Sequence, residues 1–430
     1  MAFMAVRIFK KVWYDAFLIP DSPLGPVELA LLNLYDRREK RLANKYHSEY
    51  KPTPLPDNPT LTSEDVSIIV PTIDTEDTFT ECLRLWLANK PKEIIVVTIP
   101  RDLARVQQLV QPIAQPDFDK IQVLTVPEAN KRAQLIRGIQ AATGTILSLV
   151  DDDVFWPHDM VLPYLLAPFE DKKVGACGGP QKAHLDDCRK DENVITPWEV
   201  AALRAFDGHG NHLVTRFKAD GGVWCLVGRT IFVRAEILQN EAFYHDFANE
   251  VFMAGKALNT GDDVFITRWV QHVMGWALAI QDCPEATVTT TIKSDAGFAK
   301  QMLRWRRNLF LMILTHLFMD PGWFALRRKY PYMAKKMLGR LFRWLHNLYY
   351  LIFFLTTIKR YNLLGVLILA WWVFQKYRTY KSFVERYPYC RKHIWAAVLY
   401  DYSWIVLDFL ALVTVDYDDW LTRNDAPNRG

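Results

Sequence analysis

Three groups of polar residues have types and spacings that could do chemistry. The first, Asp151-Asp152-Asp153, directly follows the apolar run 145–150. Three consecutive carboxylates at the end of a buried strand repel one another and lose hydration, so a fold tolerates them mainly where a cation compensates. Mg2+ or Mn2+, held by one or two carboxylates plus substrate phosphates, fits that pattern. A solvated loop, or a helix start stabilised by acids, accounts for the same residues on local sequence alone. The second group, Gly261-Asp262-Asp263, precedes the helical run 264–270; an Asp there is by default an N-cap, with a functional acid as the other reading. In the third group, Gln301, Arg304 and Trp305 stand at i, i+3 and i+4 on one helix face. Arg304 could meet phosphate and Trp305 could stack on a sugar ring, although a basic interfacial helix with a membrane-anchoring Trp would use the same residues.

The elements that must position these groups follow from the hydrophobic pattern. Apolar runs at 66–70, 93–97, 121–126 and 145–150 alternate with helical stretches around 78–89, 102–114 and 130–142. That alternation predicts right-handed βαβ units on a parallel sheet. Ligands of such sheets sit beyond the carboxyl ends of the strands, which is where Asp151 to Asp153 stand. Upstream, Pro52, Pro54, Pro56 and Pro59 exclude helix and central strand, so 51–59 reads as a linker. Residues 3–18 place Val6, Phe9, Trp13 and Phe17 at spacings of three and four, apart from Arg7, Lys10 and Lys11. This suits a helix in a membrane interface or one packed on the core. The charged run 36–41 predicts a solvated helix face.

Taken together, the three groups resemble the family 2 glycosyltransferases, in particular the processive membrane-bound hyaluronan, chitin and cellulose synthases, and are similar to fungal capsule-type polysaccharide synthases. The resemblance covers roughly residues 66–310 and implies an α/β catalytic domain of the GT-A, Rossmann-like class. It implies that Asp151 and Asp153, with Asp152 between them, form the D-x-D motif holding metal and nucleotide-sugar diphosphate. It makes Asp263 the catalytic base, as the second acid of a D-D motif with Asp262. Gln301, Arg304 and Trp305 match the Q-x-x-R-W motif that closes over donor and acceptor. Weaker matches put Thr72 and Asp74 in the loop that cups the uridine, Lys131 near the diphosphate, and Gly228 and Arg229 in the acceptor-site loop. One departure is the second strand, which in the family ends in an acidic pair contacting base or ribose; here Val97 runs into Thr98, with Thr98 or Asp102 as substitutes.

The implied reaction is metal-assisted departure of the diphosphate while Asp263 deprotonates the attacking acceptor hydroxyl. The expected activity is inverting transfer from a UDP-sugar to a growing β-linked polysaccharide. A non-processive, ceramide glucosyltransferase-like enzyme making a glycolipid is the alternative. A catalytically idle membrane scaffold is a third reading, against which the intact acids weigh.

Composition bounds the partners. The 430 residues carry 52 Lys and Arg against 48 Asp and Glu, a net charge of +4, too even for a general nucleic-acid binder. Six scattered cysteines without a C-x-x-C pair argue against a zinc site or disulfide framework and for a reduced, cytosolic catalytic part. No cleavable signal peptide is expected, because Arg7, Lys10 and Lys11 interrupt the first apolar residues. The mean hydropathy of −0.05 averages unlike regions: 344–358, 361–375 and 394–415 are densely apolar. They predict about three transmembrane helices after the catalytic domain, the first two short of a ~30 Å hydrocarbon core. Asp401 and Asp408 in the third segment predict a bundle interior or a wet cavity. Basic residues before the first and third segments put the catalytic domain in the cytoplasm, at the plasma membrane if a polymer is exported, or at an internal membrane. The expected organisation is an N-terminal interfacial segment and linker (1–59), the GT-A domain (60–308), interfacial helices (309–343), a membrane region (344–415) and a tail (416–430). Expected partners are the UDP-sugar donor, a glycan or lipid acceptor, and membrane lipids. Three spans are fewer than the resembled synthases use to line a pore, so either protomers associate as a homo-oligomer or no long polymer is translocated.

Overall fold

The computed structural model describes residues 25–207, 209–252, 256–258 and 260–417; the interfacial helix expected at 3–18 and most of the tail lie outside them. Strand β1 (Val66–Pro71) is buried at every position, because its alternate side chains enter two packed faces. Ile68 and Val70 join Phe79, Leu83 and Trp86 on one side, and Ile69 joins Leu135 and Ile139 on the other. Strands β2 (Glu93–Thr98), β3 (Ile121–Thr125) and β4 (Ile146–Val150) complete a parallel set ordered β4-β1-β2-β3. Helices Phe79–Ala88, Leu103–Val110 and Lys131–Ala141 connect them, matching the alternation in the sequence.

Beyond β4 the sheet becomes mixed. After the short β5 (Val154–Phe155) come β6 (Val174–Gly178), β7 (Gln181–His184) and β8 (Thr230–Arg234). Strand β8 runs antiparallel between β4 and β6. The two-residue strands β9 (Val251–Phe252) and β10 (Lys256–Ala257) pair with each other, and β11 (Ala277–Ile280) closes the far edge beside β6. The order is β11-β6-β8-β4-β1-β2-β3, and β12 (Val288–Thr291) joins β5 and β7 in a second small sheet. Through β12 the small sheet reaches the mouth of the main one beside Asp153.

The helices after the sheet depart from the expected divisions. Helix Gly297–Phe318 runs across residue 308 and bends by 91° into Trp323–Lys329. Helix Gly25–Glu49 packs on Arg343–Arg360 and on His209–Asp220. Its charged run is therefore only partly solvated: Glu39 pairs with Lys335 at 2.6 Å and Lys336 at 2.9 Å, and Asp36 accepts a hydrogen bond from Tyr350. Partners some 300 residues away leave no local trace, which is why the run reads as a free surface. Residues 51–62 form neither helix nor strand, as the prolines require.

Helices Arg343–Arg360, Asn362–Arg386 and Ile394–Val413 stand where three spans are expected. Among the described residues only the run Pro388–Val413 is by itself long and apolar enough to cross a membrane, by length and composition. The two before it carry Lys359, Arg360, Lys376, Arg378 and Lys381. Both acids of the last helix face packed protein: Asp401 meets Arg204 at 2.8 Å and Asp408 meets Arg340 at 2.8 Å. On its other side Leu399, Ile405, Val406 and Phe409 are exposed.

Candidate active site

The carboxyl end of β4 delivers Asp151, whose backbone N–H donates to the Arg229 carbonyl. Across from it begins helix Lys131–Ala141, started by the Asn130 side chain, which accepts from the Ala133 N–H. This places Lys131 at the helix mouth, with Nζ 2.8 Å from Asp151 and 2.9 Å from Asp262. Burial works to raise the Asp151 carboxyl, but the Lys131 ammonium, with Arg229 and Arg304 beyond, holds it below the usual range. Burial also opposes charge on Lys131, and the two carboxylates more than reverse that.

The other acids of the triplet are tied differently. The Thr72 hydroxyl donates to Asp152 at 2.5 Å and lies 2.7 Å from the Thr75 hydroxyl, so Asp152 anchors the loop after β1. Gln134 fastens the same loop by donating to the carbonyls of Thr72 and Val97. Asp153 accepts from Thr291 on β12 at 3.2 Å.

Gly261, with φ at +71°, starts helix Asp262–Arg268 in a left-handed conformation that glycine adopts without strain. Asp262 and Asp263 thus fall in the first turn rather than at the N-cap. Asp263 accepts from the Val264 N–H at 2.9 Å. Burial, then the neighbouring Asp262, pushes its carboxyl up to about 6, against the pull of Lys131 and a hydrogen bond with the Cys225 thiol. Gly228 lies directly against this acid: a Cβ there would come within 2.8 Å of the Asp263 Cβ and Oδ2.

Helix Gly297–Phe318 closes the site with Gln301, Arg304 and Trp305. Arg304 is half-buried, and desolvation of its guanidinium lowers its pKa against the pull of Asp151 and Asp262. Trp305 meets Phe206 edge-on at 6.1 Å, and the Arg229 guanidinium lies over both rings at 5.3 and 5.1 Å. Arg229 is oriented by a 2.9 Å hydrogen bond to Gln181. The arrangement is an aromatic wall with a fixed cation, suited to a sugar ring and its hydroxyls.

All of the candidate residues except Asp74, Thr98 and Asp102 line one cavity of about 1320 Å3. Asp74 sits at a turn with φ at +47°, where its carboxylate pairs with Arg101 at 2.7 Å and its N–H donates to Asp102. Asp102 is held by the same Arg101, and Thr98 is fully buried. Phe206, Gln181 and Cys225 also line the cavity; they come from distant elements and carry no local signal. Gln134 is a further cavity residue, spaced one helical turn after Lys131.

Asp151 and Asp153 offer hard carboxylate oxygens suited to Mg2+ or Mn2+. Among the described residues no group of three or more His, Cys, Asp or Glu side chains is arranged to hold an ion. The donor set therefore fits an ion that completes its shell with substrate phosphate oxygens rather than one caged by protein.

Residues 64–308 match the family described as glycosyltransferase like family 2, more than half of the chain, and the chain belongs to that family. It is 44% identical over 400 residues to NDP-glycosyltransferase ltbB of Aspergillus luteorubrus, covering 92% of this chain and 97% of that one. A type 2 glycosyltransferase of Zymoseptoria tritici is 32% identical over 388 residues, 88% of this chain and 79% of the other. Among solved structures, mannosyltransferase PcManGT of Pyrobaculum calidifontis, in complex with GDP-Man and Mn2+, aligns over 92% of this chain and 97% of its own with a TM-score of 0.55 at 18% identity. The fold is thus the GT-A α/β fold, and the protein is a family 2 glycosyltransferase.

Proposed function

We propose that this chain is a membrane-attached, inverting glycosyltransferase that moves a single sugar from a UDP-sugar to an acceptor hydroxyl held against Trp305. The observation that carries the reading is Asp263, a half-buried carboxyl in the cavity, raised to about 6 and adjacent to Asp262, which shares Lys131 with Asp151. A base poised near neutrality beside a phosphate-binding end suits proton removal from an attacking hydroxyl. Nucleotide-sugar use is supported by the name of the 44% identical relative and by the GDP-Man complex of the structural neighbour. The choice of UDP rests on the likeness of the loop after β1 to a uridine-cupping loop.

Asp151 and Asp153 would hold Mg2+ or Mn2+, which supplies compensation for the negative charge of the departing diphosphate. Lys131 and Arg304 bring fixed positive charge to the same end. Asp263 accepts the acceptor's proton, and Trp305 with Phe206 and Arg229 orients the acceptor ring. Attack opposite the diphosphate inverts the anomeric carbon, so an α-linked donor yields a β-linked product.

Membrane attachment is supported by the hairpin of Arg343–Arg360 and Asn362–Arg386, where Leu363 is 75% exposed and Val366, Leu367, Trp371 and Val373 are also uncovered. An exposed apolar surface of this extent marks a lipid or protein contact. Basic residues at 327–343 and 376–392 favour the cytosolic side for the catalytic domain, at the plasma membrane or an internal one.

Single-sugar transfer is favoured over polymer extension because Asp401 and Asp408, candidates for lining a wet polymer path, are engaged in ion pairs with Arg204 and Arg340. Extension of a β-linked polysaccharide is the second reading, favoured by the aromatic wall at Trp305. The test is nucleotide release by detergent-purified protein with Mn2+ and a panel of UDP- and GDP-sugars, followed by product sizing. One active donor with a small glycoside supports the reading, high-mass product supports the second, and no release with any donor removes both.

A further inference from the structure

The cavity continues from the catalytic carboxylates to a second lobe whose electrostatics are opposite. There the helices Gly297–Phe318, Pro331–Leu341, Arg343–Arg360 and Ile394–Val413 converge, and Arg306, Arg340, Arg343 and Tyr400 line the wall. Asp408 pairs with two of them, 2.8 Å from Arg340 and 3.6 Å from the Nε of Arg306, while Asp36 and Glu39 of the same cavity are taken up by His346 and by Lys335 and Lys336. That Nε is buried without a hydrogen bond. Arg343 makes no ion pair among the described residues; its guanidinium lies over the Trp404 ring at 4.7 Å. Three guanidinium groups against one carboxylate leave two positive charges uncompensated, Arg306 and Arg340 half-buried in the wall and Arg343 exposed at its edge. A fold tolerates that arrangement where a ligand supplies the missing negative charge.

Resting on the glycosyl-transfer reading above, we propose that Arg306, Arg340 and Arg343 form an anion subsite in the acceptor lobe, which takes the phosphate group of a phosphorylated acceptor. A phosphate monoester carries about −1.5 to −2 charges at neutral pH, matching the excess, and guanidinium forks bind phosphate oxygens in pairs. The subsite belongs to the same cavity as Asp263 and Trp305, so a bound phosphate tethers the rest of the acceptor beside the catalytic base. It also lies next to the apolar hairpin that starts at Arg343. The phosphate can therefore come from a lipid headgroup entering from the bilayer or from a soluble polyol or sugar phosphate.

The test uses the full chain in detergent, with two probes: glycerol 3-phosphate in solution, and phosphatidylcholine vesicles containing phosphatidic acid. Wild type is compared with Arg343→Gln and Arg306→Gln, and with the paired Arg340→Gln/Asp408→Asn variant, which removes both partners together and guards against a folding defect from an orphaned acid. Loss of charge-assisted hydrogen bonds predicts binding weaker by about tenfold or more in each single variant, with UDP binding unchanged. Dependence on the arginines with the soluble probe identifies a free phosphate, and dependence with vesicles alone identifies a headgroup. Probe binding equal in wild type and both single variants overturns the subsite while leaving donor binding intact. Absence of donor binding in wild type would instead strike the glycosyl-transfer reading.

Discussion

Lys131 bridges Asp151 and Asp262, with its Nζ 2.8 Å from one carboxylate and 2.9 Å from the other. The ammonium joins the end of β4 to the start of helix Asp262–Arg268, so the donor end and the base end of the cavity share one cation. Without it, two half-buried carboxylates would face each other uncompensated.

Lys131→Met is therefore expected to weaken donor binding by roughly tenfold or more and to lower the melting temperature, whereas Lys131→Arg keeps the charge and much of both. Calorimetric titration with the donor nucleotide and thermal unfolding of the same samples would check this. A Met variant that binds and melts like wild type would show that the bridge is incidental.

Gly228 is expected to tolerate no side chain. The Cβ of Gly228→Ala would sit 2.8 Å from the Asp263 Cβ and Oδ2, so the acid must shift. A displacement of about 1 Å at a reacting group can reduce turnover on the order of 100-fold. Steady-state kinetics should therefore show kcat falling while donor affinity stays close to wild type.

The raised carboxyl of Asp263 sets two pH dependences of opposite sense. Transfer needs the ionised form, so activity should climb as pH rises through about 6. Stability should move the other way: folding favours the protonated acid, so the stability present below the ordinary value of 3.8 is lost as pH rises through about 6. Asp263→Asn should consequently melt higher than wild type at neutral pH, with the gap closing towards pH values below the ordinary carboxylate range.

Arg132, beside Lys131 in sequence, has a structural task. Its guanidinium is buried and donates to the Phe247 and Thr260 carbonyls and to Glu250 at 2.6 Å. It thereby pins the chain leading into Gly261. Arg132→Leu is expected to cost about 3–5 kcal/mol, measured by denaturant unfolding, and Arg132→Lys somewhat less.

The parallel half of the sheet is legible in the sequence because its strands are apolar runs separated by helical spacings, so the strand-end position of Asp151 to Asp153 follows from the hydrophobic pattern alone. The same logic stops at β8, whose antiparallel insertion between β4 and β6 depends on long-range packing. Gln301, Arg304 and Trp305 share a face by helical periodicity alone. Phe206 completes their wall from a helix about a hundred residues earlier, which no local pattern reveals. Asp74 shows the opposite failure: it stands close to the site in sequence, yet a single left-handed turn directs it to Arg101. The apolar C-terminal segments are visible as composition. The ion pairs of Asp401 and Asp408 with catalytic-side helices are visible only in three dimensions.

The most direct test of the central claim compares wild type and Asp263→Asn with the donor identified by nucleotide release. Donor binding is followed by calorimetry and sugar transfer by radiolabelled product. The account predicts donor affinity within about twofold of wild type and transfer reduced by about 100-fold or more, in the range of removing a general base. An Asn variant that transfers sugar at a wild-type rate would contradict the assignment of Asp263 and the mechanism built on it.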